Sequence, residues 1–196
     1  CQYVFHNHFN KIKKLISDDL LLNQKSRNRF FYASFKLPMQ EIKNFRVSSK
    51  FNEIIKYDLG YYTANILQRF FTEIKFTKPK NITYSKKDFY KNVSFNTKEL
   101  NGIIEWGIGF QYSNQISYFS DTLFFETEQV FSKPKKYIPI INIIKNKKLK
   151  KISMKEESHF KNMFETYLKI IKNKNFKKYE FIKLNTINTL KLLNKI

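Results

Sequence analysis

Apolar residues in this chain recur at two different spacings, three to four apart in some stretches and two apart in others, and that change of period dictates a mixture of helices and strands. From Asn10 to Leu22, the residues Ile12, Leu15, Ile16 and Leu20 share one helical face with lysines between them. The spacing predicts a first helix over 10–22, ended by the polar residues 24–29. Phe35 to Phe51 alternates imperfectly through Ile42, Phe45 and Val47 and predicts a strand, whereas Ile54 to Ile74 returns to helical spacing. Pro79 ends that helix, since proline cannot continue one and restricts the residue before it. Val93–Phe95 and Ile103–Tyr112 predict strands joined through Asn101-Gly102. Gln115–Phe131 predicts a second long helix bearing Phe119, Leu123, Phe124 and Val130. Lys133–Lys151, with Pro134 and Pro139, reads as an edge strand or extended loop, and the end of the chain as a strand over Tyr179–Asn185 and a short helix over Thr186–Ile196.

These elements sum to an α+β fold: a single antiparallel or mixed sheet with helices packed mainly on one face. No linker divides the chain, so residues 1–196 are expected to form one domain, with a basic N-terminal helix (about 10–22) and a basic segment (about 133–160). Ile42, Val47, Ile66, Phe70, Ile104, Phe119, Leu123, Ile182 and Leu184 are expected in its core. Trp106, Phe119, Phe124, Phe125 and Phe131 fall at helix or strand spacing and are read as core aromatics.

Charge then narrows the function. The chain carries 37 Lys+Arg against 16 Asp+Glu, a formal net charge of +21. The excess runs from Lys11 to Lys195, and a polyanionic partner is the first expectation. Composition tempers that reading: 21 Phe and 12 Tyr beside only 4 Gly and 4 Pro mark an AT-rich genome of the organelle type. Part of the lysine excess is therefore mutational.

Cys1 is the single cysteine, which excludes an intrachain disulfide or a cysteine-based metal site. A first residue of Cys fits either a lipid-modified envelope lipoprotein of the periplasm or a chain whose start lies elsewhere. No stretch approaches the ~20 apolar residues of a membrane span. His6 and His8 lack a third ligand nearby in sequence, so no metal is expected. His159 beside Glu156 and Glu157 reads as surface chemistry. No nucleophile elbow, phosphate-cradling glycine loop or carboxylate pair is present, and neither an enzyme nor a cofactor is expected.

The order of segments resembles large-subunit ribosomal protein five. L-P-M-Q-E-I-K-N-F-R-V at Leu37–Val47 is similar to the family's N-P-M-Q-I-P-K-L-E-K-I. F-T-K-P at Phe76–Pro79 with S-K-K at Ser85–Lys87 is similar to its T-G-Q-K-P and following basic stretch, and Met39 and Pro79 lie about forty residues apart, as in the family. I-S-Y-F-S-D-T-L at Ile116–Leu123 resembles its M-Y-E-F-L-D-R-L, and Glu180–Thr186 leading into Leu190–Leu193 resembles its closing strand and helix. The family's glycine in T-G-Q-K-P is replaced here, and its glycine-rich N-Y-S-x-G segment survives only as Ile152-Ser153-Met154.

The resemblance implies a structural constituent of the large ribosomal subunit in the central protuberance, here of a mitochondrial ribosome. It implies rRNA, 5S rRNA where present, P-site tRNA, neighbouring large-subunit proteins and a small-subunit bridge protein as partners, and no membrane. The rRNA-binding residues are then expected to be Lys11, Lys13, Lys14, Arg27, Arg29, Lys145, Lys147, Lys148, Lys150 and Lys151, whose charges suit phosphate. Lys78, Lys80, Tyr84, Lys86, Lys87, Tyr90 and Lys91 are expected on a loop facing tRNA, with the tyrosines free to stack on unpaired bases. Each lysine group has a plainer reading as a solvated basic run.

Overall fold

A computed structural model describes residues 1–24, 26, 28–39, 51–77, 80–82, 89–145 and 147–196. A 3-10 turn, Gln2–Phe5, precedes helix α1 (Asn7–Leu22) and strand β1 (Phe30–Leu37). Helix α2 (Phe51–Ile55) runs through a π turn, Lys56–Gly60, into α3 (Tyr61–Phe70). Eight strands follow: β2 (Lys75–Phe76), β3 (Lys80–Ile82), β4 (Phe89–Asn96), β5 (Asn101–Ile108), β6 (Ser113–Phe119), β7 (Leu123–Glu128), β8 (Ile140–Lys145) and β9 (Lys148–Ser153). Helices α4 (His159–Lys172) and α5 (Phe176–Leu193) complete the chain.

All nine strands join one mixed sheet in the order β2-β4-β5-β1-β6-β7-β8-β9, with β3 also on the outer side of β4. Strands β1 and β5 run parallel, and every other pairing described is antiparallel. The fold is α+β, as the apolar spacing predicts.

Alternation decides which face of the sheet is dry. Phe31, Ala33 and Phe35 on β1 stand in register with Gly102, Ile104 and Trp106 on β5 and with Tyr118, Ile116 and Asn114 on β6. This face is buried against Phe9, Ile12 and Ile16 of α1 and Ala64, Ile66 and Leu67 of α3, in one continuous core. The other face carries Tyr32, Ser34 and Lys36 with Glu105, Gln115 and Ser117, and is polar along its centre. Helices α4 and α5 lie further out, α5 on α3 and α4 on the Gln2–Phe5 turn.

Several sequence expectations change here. The segment 115–131 is not a helix: β6 and β7 form a hairpin around Ser120-Asp121-Thr122, with Ile116, Tyr118, Leu123, Phe125 and Thr127 inward at a period of two. Asn101-Gly102 is no turn, because the chain reverses over Thr97–Leu100 and Gly102 sits inside β5, where the ring of Phe95 leaves no room for a Cβ. The strand expected over 179–185 is part of α5, whose N-terminus is capped by the side chain of Asn175. Phe119 and Leu184, expected in the core, are 45% and 54% exposed, whereas Ile66, Ile104 and Leu123 are buried. Phe70 and Ile182 are half-buried. Ile42 and Val47 lie outside the described residues.

Two buried polar knots fasten the periphery. Asp19, near the end of α1, accepts from Tyr118 (2.7 Å), Thr122 (2.9 Å), Ser120 (3.1 Å) and Asn23 (2.8 Å), with the Arg29 guanidinium 3.4 Å away. Burial alone would raise this carboxyl, but the donated hydrogen bonds hold it below the usual carboxylate range. The second knot joins the chain start to the approach to α4. His6 and His8 are fully buried; the His8 backbone N–H donates to His6 Nδ1 at 3.0 Å, and His8 Nε2 lies 2.8 Å from Thr127 Oγ1. The Asn7 backbone N–H donates to Glu157 at 3.1 Å. Burial, helped by the nearby Lys133 charge, pushes His6 down to about 4 and His8 to about 2. The Lys133 amine, which donates to the Val130 carbonyl at 2.7 Å, is pushed down by burial to about 7, with Glu157 opposing. His6 therefore meets Glu157, 3.7 Å away, as a neutral ring rather than as an ion-pair partner.

Replacing the fully buried Ile104 with Ala is expected to cost ~2–5 kcal/mol in urea denaturation, because a cavity remains between the sheet and its helices. Phe119→Ala, on the exposed face, is expected to cost under about 1.5 kcal/mol; equal losses would contradict the assignment of faces. The second knot makes stability depend on pH. Unfolded imidazoles take up a proton near pH 6.5, but His6 and His8 do so only at about 4 and about 2 when folded. Between these values the unfolded state binds more protons, so stability falls as pH drops through 6.5 toward 4. The urea midpoint should be lower at pH 5 than at pH 7.5, and His8→Gln should flatten that slope. A midpoint unchanged over this range would rule out neutral burial of the two rings.

Candidate active site

The parallel strands β1 and β5 end side by side at Leu37 and Ile108, and the backbone amides of Gly109 and Phe110 close the gap by donating to the Leu37 carbonyl (3.1 and 3.3 Å). In sheets with parallel strands, ligands gather beyond such carboxyl ends. The π turn Lys56–Gly60 packs against this end of the sheet, and π turns inside helical runs are frequent at functional sites. Gly60 is fixed by close approach: a Cβ there would lie 2.8 Å from the Trp106 ring. The Thr63 hydroxyl donates to the Gly60 carbonyl at 3.0 Å. Ile55, Leu59 and Gly60 point into the core, leaving Asp58, Tyr61 and Tyr62 half-exposed at the entrance to α3.

Tyr62 is the most constrained of these. Its ring stands edge-on to Phe35, with centroids 5.2 Å apart, and also packs against Tyr3 (5.9 Å) and Phe131 (6.1 Å). Its hydroxyl accepts from the Gln2 side-chain amide at 3.3 Å, and its own proton has no acceptor among the described residues. Behind it, the fully buried Tyr3 hydroxyl lies 3.0 Å from Asn65 Oδ1 and 3.3 Å from the Tyr62 carbonyl. Arg69 donates to the same Asn65 oxygen at 3.2 Å, and Asn65 donates to Thr189 of α5 at 2.8 Å. Burial pushes the Tyr3 hydroxyl well above the ordinary tyrosine range and depresses Arg69. The arrangement is a half-buried phenol held rigidly by three aromatic rings and backed by a hydrogen-bonded network. Sequence reasoning missed it; its signal is Asp58-Leu59-Gly60-Tyr61-Tyr62, a glycine inside a helical stretch, which asks for a packing or functional cause.

A second polar cluster lies on the open face of the sheet. Glu105 accepts from Lys36 at 2.6 Å and from the hydroxyls of Tyr32 and Tyr90. Burial would raise the Glu105 carboxyl, and these donors hold it down. The group ties β1, β4 and β5 together, with the carboxylate satisfied on both oxygens. Among the described residues no group of three or more His, Cys, Asp or Glu side chains is placed to hold a metal ion. No described helix is long and apolar enough to cross a membrane.

The residues singled out from charge fall in several places. Lys13 and Lys14 are exposed on α1 and Lys11 half-exposed. Arg29 is buried and bound to Asp19, with a guanidinium nitrogen donating to the Ser26 carbonyl at 3.1 Å. Lys145, Lys147, Lys148, Lys150 and Lys151 are exposed on the β8–β9 hairpin. Tyr90 is not on a loop but on β4 within the Glu105 cluster, and Lys91 points to the helix side, where burial and then Lys56 lower its pKa. Lys80 belongs to β3. Arg27, Lys78, Tyr84, Lys86 and Lys87 lie outside the described residues. None of the described ones lies on α3 with Tyr62.

No protein-family model matches the chain, and no curated protein matches it by sequence. Solved structures share its fold. KijD10, a 3-ketoreductase from Actinomadura kijaniata in complex with NADP and TDP-benzene, matches with a TM-score of 0.74 at 14% identity, over 88% of this chain and 53% of its own. The putative oxidoreductase yvaA from Bacillus subtilis matches with 0.60 at 14% identity, over 98% and 60%. An aldose-aldose oxidoreductase from Caulobacter crescentus complexed with glycerol matches with 0.65 at 11% identity, over 88% and 52%. The chain thus spans between about half and three fifths of these structures. The likeness overturns the resemblance to ribosomal protein five and, with it, the expectation of a non-enzymatic constituent of a ribosome with rRNA and tRNA as partners. The lipoprotein reading gains no support either. The short matches behind the ribosomal resemblance, P-M-Q, K-P and paired leucines, are each only two or three residues long, and I-S-Y-F-S-D-T-L, read as a helix, spans the end of β6 and the turn to β7. What the chain shares with these structures is the fold.

Proposed function

We propose that this chain forms the substrate-facing half of a reductase that acts on the carbonyl of a sugar or sugar nucleotide, with Tyr62 as proton donor. The observation that carries the reading is the match over 88% of the chain to a 3-ketoreductase holding NADP and TDP-benzene. The aldose-aldose oxidoreductase supports the same substrate class. Fold alone does not assign function, so the site must bear the argument as well.

Reducing a ketone requires a hydride at carbon and a proton at oxygen. The hydride source is not held by these residues: the described strands contain one parallel pair rather than a doubly wound sheet, and the four glycines, at 60, 102, 107 and 109, form no glycine-rich strand-to-helix loop for a pyrophosphate. The chain's share is positioning and protonation. The Tyr62 hydroxyl, accepting from Gln2, has its own O–H free to donate to a carbonyl oxygen, and its ring is locked against Phe35, Tyr3 and Phe131. Rigid support of this kind keeps a donor in productive geometry. Asp58, four residues earlier, lies half-exposed in the π turn.

In the full polypeptide assayed with NADPH and a keto-sugar nucleotide, Tyr62→Phe should lower kcat by ~10²–10⁴. KM should stay nearly constant, since only a proton is lost and the ring packing remains. NADPH oxidation followed at 340 nm measures both. Full activity in the variant would place proton donation elsewhere, and a wild-type protein that reduces no keto sugar would sink the reductase reading.

A further inference from the structure

Helix α1 and strands β7, β8 and β9 enclose a cavity of about 480 Å³, a volume ordinary for a small-molecule site. It lies away from Tyr62: Leu123 follows the turn after Phe119, which pairs with Phe30 at the start of β1, whereas the phenol stands near the Leu37 end. Register divides the cavity into two zones. On the helix side of the sheet Leu123 pairs with Lys145 and Lys145 with Lys148, while one step along Ile143 pairs with Lys150. The floor is apolar, with Leu123 and Ile143 buried and Leu15 and Ile152 half-buried. The rim is cationic, and its Lys145, Lys148 and Lys150 are exposed.

We propose that this cavity binds a medium-chain carboxylate, its acyl chain on the apolar floor and its headgroup among the three lysines. The site is independent of the reductase reading above. Charge selects the headgroup. Like charges directly opposite on antiparallel strands repel, and Lys145 faces Lys148 across β8 and β9 with Lys150 two residues further on the same side. None of the three ammonium groups has an ion-pair partner among the described residues, in contrast to Lys36, which Glu105 neutralises. An anion seated between them removes the repulsion.

Two carboxylates also line the cavity. Asp19 is committed to Tyr118, Thr122, Ser120 and the Arg29 guanidinium. Asp18 is exposed on α1, so three cations stand against one uncommitted carboxylate and the rim stays positive. The apolar zone selects the rest of the ligand. Leu22, in the last turn of α1, lines the same cavity while 77% exposed, and with the floor it offers an acyl chain an apolar wall. An inorganic anion would use the rim alone and a neutral alcohol the floor alone; a carboxylate on a chain uses both.

The test is calorimetric titration of the full polypeptide at low salt with decanoate, octanoate, acetate and decanol. Decanoate should bind saturably at one site, roughly five- to fifteenfold tighter than octanoate, since each buried methylene strengthens binding about fourfold at most. Replacing Lys145, Lys148 and Lys150 together with Gln should raise the decanoate Kd at least tenfold, and Leu22→Gln should raise it severalfold. All four side chains are exposed, so the urea midpoints of these variants should match the wild type, and Tyr62→Phe should leave decanoate binding unchanged. Acetate binding as tightly as decanoate would reduce the site to an anion contact, and decanol binding as tightly would reduce it to an apolar one; either overturns the proposal. So does decanoate binding that ignores the three glutamines, or binding to phosphatidylglycerol vesicles with none to monomeric decanoate, which would make the ligand a membrane surface. None of these outcomes bears on the reductase reading, which the Tyr62→Phe kinetics decide.

Discussion

The parallel pairing of β1 with β5 is the constraint on which the rest of this molecule depends. A parallel neighbour cannot be reached by a tight turn; the chain must travel back along the sheet before the second strand begins. Here the return carries α2, the π turn and α3, and so lays α3 across the apolar face formed by Phe31, Ala33, Phe35, Ile104 and Trp106. It also delivers the entrance of α3 to the end of the sheet where β1 and β5 stop. Tyr62 owes its place to that route, and the antiparallel hairpins on either side extend the platform.

Packing then fixes chemistry. The π turn inserts Gly60 against Trp106, and the helix that follows presents one phenol to Phe35, Tyr3 and Phe131. Polar residues behind it form a chain from Arg69 through Asn65 to Thr189, which couples α3 to α5. A buried network of this kind stabilises only when its members are satisfied, and here one amide oxygen serves both Tyr3 and Arg69. The outer helices are thereby linked to the site without touching it.

Much of the architecture could be read from apolar spacing. The first helix and strand β4 follow from it because each has one wet and one dry side, and with the strand over β5 they give the overall α+β class. The β6–β7 hairpin could not be read, because its turn, Ser120-Asp121-Thr122, contains neither Gly nor Pro, and Leu123, Phe124 and Phe125 are consecutive apolar residues that suit either period. Helix α5 was hidden for the opposite reason: Asn185 and Thr189 face inward, while Phe176 and Leu184 face outward, which blurs its amphipathic pattern. The site was legible only as one misplaced glycine. Charge drew attention to lysines instead, and Arg29, which looked like a phosphate ligand, is the buried partner of Asp19. Nothing in the sequence distinguishes a guanidinium bound inside from one awaiting a phosphate.

The lysines of the β8–β9 hairpin bear on a different property, the finite width of the sheet. Among the described strands β9 has a partner on one side only, so its outer edge offers unpaired amides and carbonyls to any extended segment that drifts past. Lys148, Lys150 and Lys151 place cations on both faces of that edge, and the backbone of a second β9 would have to bring its own lysines alongside. In a chain so rich in phenylalanine and isoleucine, that repulsion opposes the edge-to-edge joining of one molecule's sheet to the next.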